Sequence, residues 1–181
     1  MALPLHTERL ILRPFADEDT PRLLEVFGDP EVMRFVGRGV PLDQDRLVVS
    51  QARVLEHWRT HGFGTLALVE RASGALVGEG GLQLLEGGPD VELTYTLARA
   101  VWGRGYATEA AAALLAWGFG ELGLTRIVGV VYPENLASQR VLEKVGMRRL
   151  GPRRCYGADL VEYAAERPAG AAGTEAPAPA G

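Results

Sequence analysis

A short glycine-containing segment, residues 102–109, carries the most informative chemistry of the sequence. It lies between an alternating apolar stretch, residues 91–97, and an alanine-rich run, residues 110–119, which predict a strand and a helix. A turn of this kind, with Gly103 and Gly105, exposes backbone N–H groups at the positive end of a helix dipole. Glycine is favoured there because a side chain would hold an anion away from the backbone. The segment therefore predicts a site for a phosphate-bearing ligand.

Two other places hold side chains suited to acid–base chemistry or ligand contact. Glu92 lies in the alternating strand and is a candidate general base, although many strand carboxylates are only solvated residues on a polar face. Asn135 and Ser138 begin a later predicted helix, where Asn135 is expected to cap the helix and Ser138 either satisfies a backbone group or takes part in chemistry. His57 and His61 have the spacing of a helical metal site, but no third ligand is evident, so no metal is expected.

Composition is that of an ordinary globular protein and argues against several classes of partner. With 181 residues, 47% of them hydrophobic, the chain is long enough for one domain with a real core. Its net charge of −4 gives no electrostatic reason to expect nucleic acid as a partner. The single cysteine, Cys155, cannot form an intrachain disulfide, and the sequence has neither a signal-peptide core nor an apolar span of membrane length. We therefore expect a cytoplasmic protein that does not enter membranes.

Hydrophobic periodicity and turn residues predict a mixed fold of α/β (α+β) type. The predicted strands span residues 9–13, 64–70, 75–85, 91–97, 126–131, 148–151 and 159–164. The predicted helices span residues 20–28, 43–61, 106–118 and 135–146. This order of elements predicts a mixed sheet with helices on both faces. From residue 166 onward the chain is rich in alanine, proline and glycine, which predicts a disordered tail.

Three segments, taken together, resemble the GCN5-related N-acetyltransferase (GNAT) superfamily, and more narrowly its RimJ/RimL-like branch. They are residues 5–14 (Leu-His-Thr-Glu-Arg-Leu-Ile-Leu-Arg-Pro), residues 102–110 (Trp-Gly-Arg-Gly-Tyr-Ala-Thr-Glu-Ala) and residues 135–146 (Asn-Leu-Ala-Ser-Gln-Arg-Val-Leu-Glu-Lys-Val-Gly). Any one segment is weak evidence, but their order and spacing also fit. The resemblance implies a mostly antiparallel sheet of about seven strands with a splay between the central strands. It implies an acetyltransferase domain over residues 1–165, followed by the tail, residues 166–181.

The resemblance also implies acetyl-CoA as co-substrate and indicates where it binds. The family's pyrophosphate loop corresponds to six consecutive residues: Gly103, Arg104, Gly105, Tyr106, Ala107 and Thr108. Backbone groups near Leu93, Thr94 and Tyr95 would pair with the pantetheine amides and polarise the thioester carbonyl. The pantetheine arm would lie in the splay, between the strand that holds Glu92 and the strand that begins at Arg126.

Roles for individual side chains follow from the same resemblance. Glu92 occupies the position expected for the general base. Asn135 is implied to hydrogen-bond the pantetheine. The chain departs from the general superfamily pattern at Trp102, where glutamine or arginine is usual, and at Leu142, where many members carry a tyrosine that protonates the leaving thiolate. Ser138 is the branch's substitute for that proton donor.

Acetyl transfer requires a neutral amine, a stabilised oxyanion and a departing thiolate. An α-amine titrates near ~8 and a lysine near ~10.4, so the neutral form at pH 7 costs about 1.4 and about 4.6 kcal/mol respectively. One carboxylate is therefore better matched to a protein N-terminal α-amine, which we expect as the acceptor. The alternatives are a small amine (a polyamine, amino acid or antibiotic) and a module that binds acyl-CoA without turnover. A homodimer is common in the branch, although no interface is visible in the sequence.

Overall fold

The central element of the computed structural model, which describes residues 3–168, is one mixed β-sheet. Its strands in this part of the chain are β1 (Leu5–His6), β2 (Leu10–Arg13), β3 (Thr65–Glu70), β4 (Leu76–Leu84), β5 (Val91–Leu97), β6 (Arg126–Val131), β7 (Arg148–Cys155) and β8 (Ala158–Glu166). Their order across the sheet is β1-β2-β3-β4-β5-β6-β8-β7. Neighbouring strands are antiparallel except β5 and β6, which are parallel. The predicted sheet is confirmed, with β1 added because two residues are too few for a periodic signal.

The α-helices of residues 3–168 connect these strands. They are α1 (Thr20–Gly28), α2 (Pro30–Met33), α3 (Gln44–His61), α4 (Tyr106–Gly120) and α5 (Leu136–Lys144). Local signals set their ends: at α3 the Asp43 side chain accepts from the Arg46 N–H, and Gly62 ends the helix with φ +72°. The short α2, which the sequence analysis missed, begins where Asp29 caps the Glu31 N–H. No helix in the described range is long and apolar enough to cross a membrane.

The helices cover both faces of the sheet. Successive strand residues point to opposite faces, so the two faces can be separated by residue number. On β3, Leu66 and Leu68 belong to a hydrophobic cluster that includes Leu114 of α4. Ala67 and Val69 belong to a second cluster, built with residues of α1, α2 and α3. Helix α4 therefore packs on one face, and residues of α1 to α3 pack on the opposite face, so the predicted arrangement with helices on both faces is confirmed.

The two parallel strands at the centre of the sheet diverge. β4 pairs with β5 along the whole length of β5. In the described structure, β5 and β6 share a single registered pair, Glu92 with Val128. Beyond that pair, the β6-facing backbone groups of β5 have no partner strand. Because β5 and β6 are parallel, the helices that follow them, α4 and α5, both begin at the open edge of this splay.

The C-terminal hairpin is longer than predicted. β7 has 8 residues, β8 has 9, and a turn at Tyr156 and Gly157 joins them. The exposed arginines of β7 hide its periodicity from sequence analysis. β8 continues through Glu166, after which the Arg167 N–H donates to the Thr125 carbonyl at 2.9 Å. The rest of the predicted tail, residues 169–181, lies outside the described residues, as do residues 1–2.

Gly81, on β4, is a position where a side chain does not fit. A Cβ there would lie 2.4 Å from both the Gly64 oxygen and the Thr65 Cα, which are backbone atoms. We expect Gly81→Ala to lower the free energy of unfolding by about 2 kcal/mol or more, because the β3–β4 pairing must shift. Denaturant unfolding measures the loss. Gly120→Ala is the control, since a Cβ there would meet no heavy atom within 4 Å. Equal losses in the two variants would contradict this packing argument.

Candidate active site

The N-terminus of α4 presents backbone N–H groups that no side chain caps. Gly103 and Gly105 have φ values of +73° and +83°, in the left-handed region that favours glycine. Gly105 is the N-cap residue of α4, and no side chain within residues 3–168 hydrogen-bonds to this helix end. The first N–H groups of a helix lack intrahelical acceptors, and the helix dipole adds positive potential. The loop from Gly103 to Thr108 therefore has the geometry of an anion site.

An ion pair from the turn between β1 and β2 holds this loop in place. The Glu109 carboxylate, in the first turn of α4, accepts hydrogen bonds from Thr7 Oγ1 at 2.6 Å and from Arg9 N and Nε at 2.7 Å each. Arg9 Nη1 also donates to the Arg104 carbonyl at 2.8 Å. Burial alone would raise the pKa of the Glu109 carboxyl, but these hydrogen bonds and the Arg9 charge leave it lowered. The N-terminal segment that carried part of the resemblance thus braces the loop.

The Tyr106 side chain belongs to the core and not to an open binding surface. It is 3% exposed, and its ring centroid lies 4.6 Å from the Arg9 Cζ and 4.9 Å from the Arg104 Cζ. The Tyr106 hydroxyl donates to Glu70 Oε1, which also accepts from Arg104 Nη2 at 3.0 Å. Tyr106 can therefore face an anion only through its backbone, whereas the half-exposed Arg104 guanidinium already has Glu70 as a partner.

The remaining predicted loop residues lie at the two ends of the segment. Ala107 and Thr108 are half-buried in the first turn of α4. Before the loop, the Trp102 indole is 48% exposed and donates its Nε1–H to the Leu97 carbonyl at 2.8 Å. This bond ties the start of the loop to the end of β5, so it fixes the anion site relative to the splay.

Glu92 is a buried carboxylate with side-chain partners, and it is not a solvated residue on a polar face. Its residue exposure is 5%. Its Oε2 accepts from the Tyr156 hydroxyl at 2.6 Å and from Gln83 Nε2 at 3.4 Å. Burial raises the pKa of Glu92, and the hydrogen bonds and the Arg153 charge offset this effect only in part. A carboxylate with a raised pKa is a better proton acceptor than an exposed one.

The contact between Tyr156 and Glu92 is not visible in the sequence, since the two residues are 64 positions apart. Tyr156 and Glu86 both have a left-handed backbone, with φ values of +52° and +51°. The Tyr156 N–H donates to Glu86 Oε1 at 2.6 Å, which joins the β4–β5 connection to the β7–β8 turn beside Glu92. Burial and the Glu92 charge raise the pKa of Tyr156, so its hydroxyl stays protonated and continues to donate.

The start of α5 contacts β5 across the splay. Asn135 Oδ1 accepts from the Ser138 N–H at 3.1 Å, so Asn135 caps the helix. The Tyr95 hydroxyl donates to the Ser138 carbonyl at 3.3 Å, and burial raises the pKa of Tyr95 to about 12. The Ser138 hydroxyl has no hydrogen-bond partner within residues 3–168. Leu142, at the family's tyrosine position, is 3% exposed and packs in the core. The structure therefore places Tyr95 and Ser138 together.

Backbone groups contact both ring nitrogens of His57, and these contacts account for the position of the ring without a metal ion. Its Nδ1 lies 2.8 Å from the Phe63 carbonyl, and its Nε2 accepts from the Leu84 N–H at 3.1 Å. Both ring nitrogens therefore contact the backbone. Across residues 3–168, no group of three or more His, Cys, Asp or Glu side chains is arranged to hold a metal ion.

A second carboxylate, Glu79 on β4, was not predicted from the sequence. It is half-buried and has no hydrogen-bond or ion-pair partner within residues 3–168. Burial raises the pKa of Glu79 to about 7 because nothing compensates its charge. The available signal was a single acidic residue between Gly78 and Gly80 in an otherwise apolar strand.

Comparison with known proteins relates the chain to one family. The family model described as an acetyltransferase (GNAT) domain matches residues 9–148. Among curated proteins, the uncharacterised N-acetyltransferase YnaD of Bacillus subtilis is 32% identical over 145 residues. The match covers 80% of this chain and 82% of YnaD.

Solved structures share the fold. An acetyltransferase from Agrobacterium tumefaciens is 34% identical with a TM-score of 0.77, over 92% of this chain and 96% of that one. RimL, a ribosomal L7/L12 α-N-protein acetyltransferase solved in complex with coenzyme A, is 18% identical with a TM-score of 0.74, over 90% of this chain and 97% of that one. The similarity to RimL concerns the fold alone.

The unpartnered carboxylate of Glu79 should make stability depend on pH. Its pKa is 4.5 for an unperturbed side chain and about 7 in the folded protein. As pH rises the unfolded chain loses this proton first, so the wild type loses stability between pH 4.5 and about 7. Glu79→Gln cannot ionise and escapes this loss. We expect the variant's free energy of unfolding, relative to wild type, to increase by about 1–3 kcal/mol from pH 4.5 to 8 in denaturant unfolding.

Glu18→Gln provides the control for this measurement, because Glu18 is exposed. This variant keeps the Glu79 carboxylate, so its stability should fall with rising pH as that of the wild type does. If the stability of Glu79→Gln falls in the same way, the Glu79 carboxylate is not desolvated as described.

Proposed function

This chain belongs to the GNAT acetyltransferase family, and on that basis we propose that it moves an acetyl group from acetyl-CoA to a protein N-terminal α-amine by direct attack. The environment of Cys155, the only cysteine of the chain, agrees with direct attack of the amine on the thioester. Cys155 is 3% exposed, and burial raises the pKa of its thiol, which disfavours the nucleophilic thiolate. A covalent acyl-enzyme on this residue is therefore not part of the proposal.

The uncapped N-terminus of α4 beside the splay is the observation that carries the proposal. Two glycines with positive φ leave room for a diphosphate, and the helix dipole favours its charge. The Arg9–Glu109 ion pair stabilises the conformation of the loop. These residues fit acetyl-CoA, which supplies an activated thioester when bound. Everything else required for transfer comes from the residues around the splay.

Glu92 acts as the general base for the acceptor amine. It lies on β5 at the point where β5 and β6 separate, and its pKa is raised by burial. Tyr156 and Gln83 hold its Oε2, which leaves the second carboxylate oxygen to accept a proton directly or through water. Tyr156 therefore acts as a positioning residue for Glu92.

Backbone and side-chain donors on the two sides of the splay complete the mechanism. N–H groups near Leu93, Thr94 and Tyr95, on the unpaired edge of β5, hold the developing oxyanion. Ser138 donates a proton to the leaving sulfur, because its hydroxyl has no other partner in the described residues. The Asn135 side-chain NH2 contacts the pantetheine, since its Oδ1 already caps α5.

An α-amine is the favoured acceptor because its neutral form costs less at pH 7 than that of a lysine. RimL, which shares the fold, is a protein α-N-acetyltransferase by name. The decisive experiment is an acetyl-CoA consumption screen across N-terminal peptides, polyamines and aminoglycosides. Turnover of peptides supports the proposal, and turnover of small amines alone would replace the N-terminus with a small-molecule acceptor.

Gly105→Ala tests the anion site. At φ +83° an alanine is strained, and its Cβ would lie 3.3 Å from Arg9 Nη2, so the loop must rearrange. We expect a loss of about tenfold or more in coenzyme A affinity, measured by calorimetry. Gly123→Ala is the matched control, because φ there is +65° and no heavy atom lies within 4 Å. Gly123→Ala should suffer a backbone strain similar to that of Gly105→Ala but keep the wild-type affinity for coenzyme A. Unchanged affinity in Gly105→Ala would refute binding at this loop.

Glu92→Gln tests the base. The amide keeps the size of the side chain but cannot accept the proton, so kcat should fall by about 100-fold or more. Coenzyme A affinity should stay within about twofold of wild type, because Glu92 is remote from the anion site in this proposal. Steady-state kinetics and calorimetry on the same preparation measure both quantities. A kcat within about threefold of wild type would exclude Glu92 as the base.

A further inference from the structure

Glu79 and Glu92 lie on the same face of the sheet, opposite α4. In the unbroken register of β4 and β5, Glu79 pairs with Thr96 and Gln83 pairs with Glu92. Paired residues share a face, and so do residues two apart on one strand. The hydrogen bond from Gln83 to Glu92 agrees with this assignment. The face therefore carries a polar row along β5, formed by Glu92, Thr94 and Thr96, with Glu79 beside its far end.

Glu79 differs from every comparable acidic residue. Seven other acidic residues in residues 3–168 are buried or half-buried, and each has a hydrogen-bond or ion-pair partner: Asp19, Asp29, Glu70, Asp90, Glu92, Glu109 and Glu162. Glu79 alone in this set has none. Since it remains partly exposed, a group that arrives from solution can reach it. A half-buried carboxylate without a partner is best matched by an ammonium or guanidinium group.

Glu79 and Glu92 are too far apart to hold one nitrogen. Thr96 and Glu92, the two β5 positions concerned, are four residues apart, which is roughly 13 Å along a strand. An amine that is deprotonated at Glu92 therefore cannot touch Glu79 at the same time. A cation that is bound at Glu79 must be a second group, elsewhere on the same acceptor.

We propose that Glu79 binds a second positive charge of the acceptor, so that the enzyme selects amines that carry another cationic group on the order of 10 Å from the reacting nitrogen. The proposal rests on the proposed function, because it takes Glu92 as the end where the amine reacts. Two sources have this chemistry, a linear polyamine and a peptide N-terminus with lysine or arginine near it. Thr94 and Thr96, both half-buried, lie on the same face of β5 as Glu92, and Thr96 is paired with Glu79.

The test compares dicationic acceptors with monocationic ones of the same length. One arm uses α,ω-diamines of increasing length against the corresponding n-alkylamines. The other arm uses N-terminal tetrapeptides with lysine or with glutamine at position 2, 3 or 4. We expect wild-type kcat/KM to favour the dication by about tenfold or more in at least one arm. The arm that shows the preference identifies the source.

Glu79→Gln should remove most of that preference through KM, and kcat on the monocation should stay within about twofold of wild type. Glu79→Asp keeps the negative charge but shortens the side chain by one methylene. It should retain the preference for dications, and the acceptor length that gives the highest kcat/KM should increase. A merely structural role would not shift that optimum. Glu18→Gln removes an exposed charge outside this face and should leave the preference unchanged.

Three results would overturn the proposal. These are the absence of any preference of the wild type in both arms, an equal loss of kcat on both acceptors in Glu79→Gln, and a preference that survives in Glu79→Gln. If no amine is turned over at all, the proposed function fails, and binding can still be measured separately. Calorimetric titration of the coenzyme A complex with the same diamines and peptides then decides: tighter dication binding by wild type than by Glu79→Gln supports the site, and equal binding excludes it.

Discussion

The divergence of β5 from β6 is the constraint on which the rest of this structure depends. Parallel strands normally satisfy each other's backbone groups, but here the pairing is confined to Glu92 and Val128. The unpaired edge that results is a row of donors and acceptors that can bind an extended ligand. Since the strands are parallel, the N-termini of α4 and α5 are brought to the same edge. The sheet thus places the uncapped N-terminus of α4, a candidate anion site, beside a row of backbone donors.

A loop that binds an anion through its backbone must be held rigidly, because every donor depends on the local φ and ψ. In this chain the rigidity comes from a distant segment. Arg9 bonds both the Glu109 carboxylate and the Arg104 carbonyl, and Thr7 bonds the same carboxylate. Side chains of the turn between β1 and β2 thus organise the turn before α4. These contacts explain why the N-terminal motif accompanies the glycine loop. The side chains of the motif hydrogen-bond to Glu109 and to the Arg104 carbonyl and so support the loop.

The two carboxylates on the sheet face opposite α4 show how burial produces two different kinds of site. Glu92 is more buried than Glu79, but it receives hydrogen bonds from Tyr156 and Gln83 that fix its position. Glu79 is less buried and receives no hydrogen bond from the part of the chain that the structure describes. Burial raises both pKa values. A fixed carboxylate is suited to repeated proton transfer, whereas one without a partner is suited to an incoming cation.

The sequence by itself determined what is local. The glycine loop, the cap at Asn135, the α3 end at Gly62 and the order of strands and helices follow from signals a few residues long, because turns, caps and periodicity are short-range. Only the tertiary structure decided what depends on distant residues. The contact of Tyr156 with Glu92 spans 64 positions, and that of Arg9 with Glu109 spans 100. Whether a strand carboxylate is solvated, fixed or left alone depends on which elements pack beside it, and no local pattern contains that information.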